Sequence, residues 1–243
     1  MRNQLIILFC CLISNLVLAQ DSLSYSWKLE EEYAIGEAEE WSVDNLENFY
    51  YSENGIINKR TKLGDVTFSQ SIKSLGKMSQ LVPVNTMKLV HFSEEQQTLC
   101  YFDNTLTSMD DCLDLSDENI VNAVLISASS QPNKLWVLDN LNSTLNLLSL
   151  DRLNQKQTVK NLKGILQIDE VTQIIEVGSR LYLLDPTNGV YIFDLYGSLI
   201  EFIPEKSIQQ IAAFENTLFT LRDNLITVRS IGSKDSFPLS PET

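Results

Sequence analysis

The stretch Val171–Pro204, VTQIIEVGSRLYLLDPTNGVYIFDLYGSLIEFIP, decides the fold. It contains four apolar runs of strand length that are rich in β-branched and aromatic residues and end at turn-forming residues. The runs are Val171–Val177, Arg180–Leu184, Gly189–Leu195 and Leu199–Ile203. Because short turns between consecutive strands require antiparallel pairing, the stretch is predicted to form a four-stranded meander.

The two middle strands of this meander are apolar on both faces. Their central residues are Leu181–Leu184 and Val190–Phe193, and neither run contains a charged residue. A sheet with one face in water would instead alternate apolar and polar residues. The meander therefore needs a cover on each side, which similar units elsewhere in the chain would provide.

Looser copies of the unit occur before and after it. Aligned on their second strands, five copies begin near Glu47, Met87, Asn133, Ser179 and Asn216. The spacings of about 40, 46, 46 and 37 residues lie in the range of four-stranded propeller blades. No long helical connection separates the strands, which argues against a parallel α/β fold. The sequence predicts an all-β protein, a single β-propeller of four-stranded antiparallel blades.

Five copies predict five blades, and six stay open as an alternative if the N-terminal region supplies more than one strand. The last copy has a weak fourth strand, Ser236–Leu239, whereas Ser24–Leu29 is a strand without a sheet. We expect these two to pair and close the ring, since closure leaves no free sheet edge. The acidic segment Glu30–Trp41, broken by Gly36, is expected to be a loop or short helix. A β-sandwich is the main alternative, but its strands would not repeat in fours.

At this level the chain resembles propeller repeat proteins, especially those with NHL-like and quinoprotein-like repeats. The run Asp185–Tyr191, DPTNGVY, is similar to the Asp-x-x-x-Gly-x-aromatic turn of quinoprotein-type repeats. The resemblance extends from about Glu47 to Leu239 through repeat spacing and turn chemistry. Only one copy carries the motif well, and the others lack its glycine and tryptophan. The resemblance thus implies the fold, but neither a quinone cofactor nor a role in outer-membrane assembly.

Residues 1–19 are predicted to be a secretory signal peptide. Arg2 precedes an apolar run from Leu5 to Leu18, and Ala19 offers a small residue before a cut ahead of Gln20. A retained membrane anchor is the alternative, but two polar residues interrupt the run. Residues 20–243 would then form the propeller domain, with no integral membrane span after cleavage. The protein is expected to be exported to the periplasm or the extracellular space, or to associate with the cell envelope.

The composition favours some partners over others, since the formal net charge is −14. Such a surface repels phosphate groups, so nucleic acid and anionic lipid are poor partners. It can attract a basic partner, although acidic charge also serves solubility. We therefore expect a non-enzymatic protein-interaction or scaffold module with a protein partner in the cell envelope and no cofactor. A glycan-active hydrolase or lyase that uses two of the many carboxylates is the alternative.

No conventional catalytic or metal-binding constellation is evident. His91 is the one histidine and lies in a predicted strand, where a core or rim role is expected, because one histidine forms no histidine cluster. Asp139 and Asp185 both follow a second strand, a position at which a turn-initiating aspartate accepts backbone N–H bonds. Trp136 and Tyr182 also occupy equivalent positions and are expected to pack between blades, although Trp27, Trp41 and the tyrosines could instead line a ligand surface.

One acidic run could attract calcium, whose ligands are hard oxygens. It lacks the spacing and the glycine of an EF-hand loop, so a solvated acidic face is the expectation. The run comprises Asp103, Asp110, Asp111, Asp114, Asp117 and Glu118. No catalytic, cofactor-binding or metal-binding residue is therefore assigned.

Cys100 and Cys112 are predicted to form a disulfide. Alignment with the organising unit places Cys100 in the third strand of its blade and Cys112 in the fourth, with a hairpin loop in Asn104–Asp111. Facing residues of an antiparallel pair lie about 4.5–5.5 Å apart at Cα, which a disulfide can span. Export would supply the oxidising setting. Two buried free thiols are the alternative.

Overall fold

The computed structural model describes residues 25–28, 38–151, 155–166, 168 and 170–241. Twenty of the strands form five antiparallel meanders of four strands each, arranged as a five-bladed β-propeller. The prediction of an all-β protein with five four-stranded blades is confirmed. The predicted signal peptide, residues 1–19, lies outside the described residues.

Each blade consists of four consecutive strands. Blade 1 comprises β2 (Glu40–Val43), β3 (Phe49–Glu53), β4 (Ile56–Arg60) and β5 (Val66–Ser71). Blade 2 comprises β6 (Gln80–Asn85), β7 (Lys88–Ser93), β8 (Thr98–Asp103) and β9 (Ser108–Asp114). Blade 3 comprises β10 (Ala123–Ala128), β11 (Lys134–Asp139), β12 (Thr144–Ser149) and β13 (Lys156–Val159). Blade 4 comprises β14 (Gln173–Val177), β15 (Arg180–Asp185), β16 (Gly189–Asp194) and β17 (Leu199–Ile203). Blade 5 comprises β18 (Gln210–Phe214), β19 (Thr217–Arg222), β20 (Leu225–Ser230) and β21 (Ser236–Pro241).

Two short helices lie between blades in the described part of the chain. A 3-10 helix, Leu115–Glu118, follows blade 2, and α1 (Leu162–Leu166) follows blade 3. The fourth strand of blade 3, β13, ends at Val159, and α1 begins three residues later at Leu162. Within the described part of the chain, no helix has the length and apolar character needed to cross a membrane.

The first strands of neighbouring blades contact one another and surround the centre of the propeller: β2 with β6, β6 with β10, β10 with β14, and β14 with β18. Buried apolar clusters fill the four corresponding interfaces. In β15, Leu181 and Leu183 pack towards blade 3, whereas Tyr182 and Leu184 pack towards blade 5. The middle strands are therefore covered on both faces, as their two apolar faces predicted.

The N-terminal strand pairs with the last strand of the chain, as predicted. The strand β1 (Tyr25–Trp27) pairs with β21, as expected, but the pairing is parallel and β1 is a fifth strand at the outer edge of blade 5. The last copy already has its own antiparallel fourth strand, because Val228 of β20 pairs with Phe237 of β21. The N-terminal strand therefore extends a complete blade and does not supply a missing strand.

The first strand of blade 1 was not predicted. Residues 30–41 were expected to form a loop or short helix, but their C-terminal end begins β2, in which Glu40 pairs with Ser52. Adjacent glutamates concealed the strand, since acidic residues are depleted in strands. Glu39 and Glu40 lie at the end of the propeller where the first strands begin, and this position determines their possible function.

Candidate functional site

One end of the propeller is built from the segments that lead into the first strands and from the turns between second and third strands. We call this end the entry mouth. It holds two cavities of about 670 and 560 Å³, both of which border Glu94 and Asn122. Blades 1, 2 and 3 and the segment before blade 4 contribute lining residues, so several repeats share this surface.

The charged lining of the entry mouth is strongly biased towards carboxylates. Among the described residues, the charged ones that border the two cavities are Glu39, Glu40, Glu94, Glu95, Glu170 and Lys77. Glu40 is half-buried, and burial raises the pKa of its carboxyl. The other four glutamates are exposed. Since like charges in a concave site reinforce one another, the mouth favours cationic groups.

Hydrogen bonds hold the backbone of the mouth in place. The Glu94 N–H donates to Ser79 Oγ at 3.0 Å, which ties a turn of blade 2 to the segment that enters the same blade. Gln97 joins this turn to blade 3, because its side chain accepts from the Ala123 N–H at 2.6 Å and donates to the Ala123 carbonyl at 2.9 Å. The acidic side chains thus project from ordered turns, which limits the entropy lost when a ligand binds.

Asp139 fixes the backbone of the segment that leads into blade 3, beside the entry mouth. Its buried carboxylate accepts from Val121 N–H at 2.9 Å, from Asn122 N–H at 3.4 Å and from Asn142 Nδ2 at 2.8 Å. Burial alone would raise the pKa of Asp139, but these hydrogen bonds hold it below its ordinary value. The buried Asp185 accepts from the Thr187 N–H in the same way. The predicted turn-capping role of both aspartates is confirmed.

His91 lies away from the mouth, inside the interface between blades 1 and 2. It is fully buried, pairs across the sheet with Leu81 and Cys100, and has no hydrogen bond from either ring nitrogen to another described residue. Burial lowers the pKa of His91. The expected core position of His91 is confirmed.

The burial of His91 predicts sensitivity to acid. Because its pKa is lower in the folded than in the unfolded state, stability is complete above the unfolded value of about 6.5 and decreases as the pH falls below it. His91→Leu should remove this component, so its melting temperature should fall less than that of the wild type between about pH 7 and about pH 5. Leu81→Val changes the cross-strand partner of His91 without touching a titratable group, so it should keep the wild-type pH dependence. Equal pH profiles for His91→Leu and the wild type would contradict the prediction.

The acidic run of blade 2 is distributed over local structural roles. Asp103 accepts from the backbone of Thr105 at 2.8 Å and of Thr107 at 2.9 Å, and Asp114 caps the 3-10 helix by accepting from Ser116 N–H. Glu118 is buried, whereas Asp110, Asp111 and Asp117 are exposed. Nowhere in the described ranges do three histidine, cysteine, aspartate or glutamate residues gather around a common point for a metal.

The tryptophans separate into different environments. Trp136 is completely buried between blades 3 and 4, and its Nε1 donates to Glu176 of blade 4. Tyr182, at the equivalent position of the next blade, is also completely buried. Trp41 is instead exposed and stacks on Phe49, with 5.8 Å between ring centroids. Interblade packing thus accounts for the equivalent pair, while Trp41 lies outside the four buried clusters.

The predicted disulfide is present between Cys100 of β8 and Cys112 of β9. Their Cα atoms lie 4.3 Å apart, and their sequence separation is 12. The register shifts between Leu99 and Tyr101, and Asp110 has a positive φ of 53°. This bulge brings Cys112 opposite Cys100 although a regular hairpin would not. Cys100 is buried in the interface with blade 1, and Cys112 is exposed.

Loss of the disulfide should lower stability without loss of the fold. The chain-entropy model gives about 3 kcal/mol for a loop of this length. Urea unfolding of the Cys100→Ala/Cys112→Ala variant should therefore show a lower midpoint, and reductant should lower the wild-type midpoint but not that of the variant. Alkylation of two cysteines in the unfolded wild type without reductant would show that the bond does not form in solution.

Sequence reasoning missed the entry mouth as a unit. Glu39, Glu94 and Glu170 come from different repeats, and each is an unremarkable acidic residue in its own segment. A weak signal existed, since each lies just before a first strand or just after a second strand. In a meander these positions lie at the same end of the blade.

These observations define the protein as a five-bladed β-propeller with an acidic entry mouth. No protein-family model matches the sequence, and no curated protein matches it. The similarity to known proteins is structural. The chain is similar to a streptogramin B lyase, with a TM-score of 0.60 and 14% identity over 84% of this chain and 68% of that one.

Two other solved structures are also similar to this chain in fold, at low sequence identity. The WD40 domain of Neurospora crassa Pan2 has a TM-score of 0.62 and 9% identity, over 83% of this chain and 65% of that one. BamB from Moraxella catarrhalis has a TM-score of 0.51 and 13% identity, over 86% of this chain and 61% of that one. The chain thus spans about two thirds of the length of these neighbours, and the likeness shows the propeller fold alone.

Proposed function

We propose that this chain is an exported, non-enzymatic protein-interaction module of the cell envelope that binds a basic segment of a partner protein at the entry mouth. The observation that carries the proposal is the charge of the mouth, where five glutamates and one lysine of the described residues border two adjoining cavities. Lysine and arginine side chains complement such a surface in charge.

The shape of the mouth supports a peptide in preference to a small metal ion. The cavities adjoin and extend across three blades, so they fit several side chains of an extended segment. The carboxylates come from separate turns, with Glu39 before β2, Glu94 after β7 and Glu170 before β14. A charged segment could contact them one after another, which gives both specificity and fast association.

Export is supported by the sequence of residues 1–19 and by the disulfide between Cys100 and Cys112. Disulfides persist in oxidising compartments such as the periplasm and the extracellular space. An envelope partner with a basic segment is consistent with that location. No cofactor is needed for this function.

Action on a glycan as a hydrolase or lyase is the second candidate. Two observations favour it: one of the similar structures is named as a lyase, and Glu40 combines a raised pKa with a position beside other carboxylates. A carboxyl group with a raised pKa can act as a general acid. The identity to that lyase is only 14%, so the chemistry has to be established on this chain itself.

A pull-down from a cell-envelope extract separates the two functions. The immobilised protein should retain a partner, and a short peptide of alternating lysine and serine should displace that partner, whereas a peptide of alternating glutamate and serine should not. Recovery of no partner, together with turnover of envelope glycans by the purified protein, would refute the interaction module and support the enzyme.

A further inference from the structure

A further cavity lies at the end of the propeller opposite the entry mouth, between blades 3 and 4. Its volume is about 650 Å³, which is in the range of small-ligand sites. It borders the turns between first and second strands and between third and fourth strands, which lie at the end away from the entry mouth. We call it the groove cavity. Its described lining includes Gln131 and Gln157 of blade 3 and Arg180, Asp194, Tyr196 and Ile200 of blade 4.

Hydrogen bonds between the two blades hold the walls of the groove cavity in place. Next to Gln131 in blade 3, the Ser130 N–H donates to the Glu176 carboxylate of blade 4 at 2.8 Å. Gln157 Nε2 donates to the carbonyl of Leu195, in the turn that leads into β17, at 2.7 Å. The cavity is therefore formed before a ligand arrives, and little entropy is lost in ordering its walls.

The turn between β16 and β17 presents Tyr196 at the rim of the groove cavity. Asp194 caps this turn by accepting from the N–H groups of Tyr196 and Ser198, at 2.9 and 2.8 Å. Gly197 has a φ of 90°, and a Cβ at this position would lie 2.5 Å from a methyl carbon of Val159 in blade 3. The turn thus packs closely against blade 3, whereas the Tyr196 side chain is 85% exposed and belongs to none of the buried clusters. Its aromatic face is available to a ligand.

The polar side chains of the groove cavity combine hydrogen-bond donors and acceptors. Gln131 Oε1 accepts from Lys134 Nζ at 2.7 Å, which leaves the amide NH₂ group of Gln131 as a donor. Gln157 uses its NH₂ group in the bond to blade 4 and keeps Oε1 as an acceptor. Arg180 Nη1 donates to Asn216 Oδ1, and the rest of the guanidinium supplies further donors. A ligand that both donates and accepts hydrogen bonds matches this lining.

The groove cavity differs from the entry mouth in its charge. Among its described lining residues, the charged ones are Arg180 and Asp194, which are cross-strand partners in β15 and β16. Their charges offset each other, whereas the whole chain carries a formal net charge of −14. An anionic ligand would meet the repulsion of the whole protein, and a cationic ligand would be drawn to the entry mouth. The groove cavity is therefore suited to an uncharged ligand.

We propose that the groove cavity binds an uncharged sugar residue of a glycan. The C–H groups of a pyranose ring carry a small positive charge and pack on the negative face of an aromatic ring, which Tyr196 supplies. Each sugar hydroxyl both donates and accepts a hydrogen bond, so it is satisfied by a donor such as Gln131 and an acceptor such as Gln157. Ile200 adds an apolar contact beside the sugar ring.

This sugar site is independent of the entry mouth, because the two lie at opposite ends of the propeller and share no lining residue among those described. It involves binding without bond cleavage, so it does not depend on the chemistry of the mouth carboxylates. Together with a basic segment bound at the mouth, a glycan bound in the groove cavity would hold a partner protein next to a polysaccharide.

Affinity electrophoresis of the purified protein tests the proposal, in native gels that each contain one uncharged polysaccharide. The polysaccharides are dextran, hydroxyethyl cellulose, galactomannan and glycol chitin. At least one of them should retard the wild-type protein, and added salt should leave the retardation unchanged because the ligand is uncharged. Retardation by none of them, or by the anionic polymer polygalacturonate alone, would overturn the proposal.

Variants locate the site, with affinity taken from the dependence of mobility on polysaccharide concentration and folding checked by circular dichroism. Tyr196→Ala should weaken binding roughly tenfold, whereas Tyr196→Phe keeps the aromatic ring and should bind within about twofold of the wild type. Gln131→Ala should weaken binding about fivefold through loss of a donor. The mouth variant Glu39→Gln/Glu94→Gln/Glu95→Gln should bind like the wild type. Unchanged binding by Tyr196→Ala would overturn the proposal, and so would loss of binding in the mouth variant, which would place the glycan at the entry mouth.

Discussion

Trp136→Ala should be strongly destabilising, by about 4 kcal/mol, the usual cost of removing a fully buried tryptophan. Trp136 lies between blades 3 and 4, where it packs in an apolar cluster with Leu147 and Leu181 and donates through Nε1 to Glu176. The substitution leaves a cavity in that cluster and removes the donor to a carboxylate. Urea unfolding followed by circular dichroism should show a much lower midpoint than that of the wild type.

Two control variants separate the causes of this loss. Trp136→Phe keeps most of the apolar volume but lacks the donor to Glu176, so it should be destabilised by about half as much. Tyr196→Ala removes an aromatic side chain that is 85% exposed and should change the midpoint little. Equal midpoints for Trp136→Ala and Tyr196→Ala would contradict the packing of blade 3 against blade 4.

Neutralising the entry mouth should abolish most of its affinity for a basic peptide. In the variant Glu39→Gln/Glu94→Gln/Glu95→Gln, three exposed carboxylates of the larger cavity become neutral while the backbone is unchanged. If each contributes somewhat under 1 kcal/mol, the affinity should fall roughly 30-fold. Titration of a fluorescent peptide of alternating lysine and serine measures the change, and added salt should weaken wild-type binding more than binding by the variant.

A second variant controls for overall charge. Asp65, Glu215 and Asp235 are exposed residues in turns at the opposite end of the blades. The variant Asp65→Asn/Glu215→Gln/Asp235→Asn changes the net charge by the same amount and should bind the peptide almost as tightly as the wild type. Equal losses in the two variants would mean that total charge, and not the entry mouth, attracts the peptide.

The fold was predictable because several local signals agreed. The apolar faces of Leu181–Leu184 required cover on both sides, and the copies near Met87 and Asn133 supplied blades that provide it. Turn chemistry was equally readable, since Asp139 and Asp185 cap their turns as expected. The cysteine pair followed from alignment of the strands, although the bulge that brings the two residues together was not predicted.

The missed features depend on contacts between repeats. The strand β2 was not predicted because Glu39 and Glu40, at its start, are typical of a loop. Both residues border a cavity of the entry mouth. The side chains of Gln80 and Gln173 form hydrogen bonds with the backbone of the next blade. The sequence of a single blade therefore does not indicate these bonds. The pairing of β1 with β21 was predicted, but its parallel direction was not, because strand propensity carries no information on strand direction.

Photo-cross-linking of a basic peptide tests the central claim most directly. A peptide of alternating lysine and serine with a photoreactive group at its centre is bound to the wild-type protein, and the attachment sites are located by mass spectrometry. The account predicts attachment in the segments around the entry mouth, within residues 39–40, 77–79, 94–95, 122–125 and 170–172. Attachment mainly to the turns at the opposite end, or a pattern unchanged by Glu39→Gln/Glu94→Gln/Glu95→Gln, would contradict it.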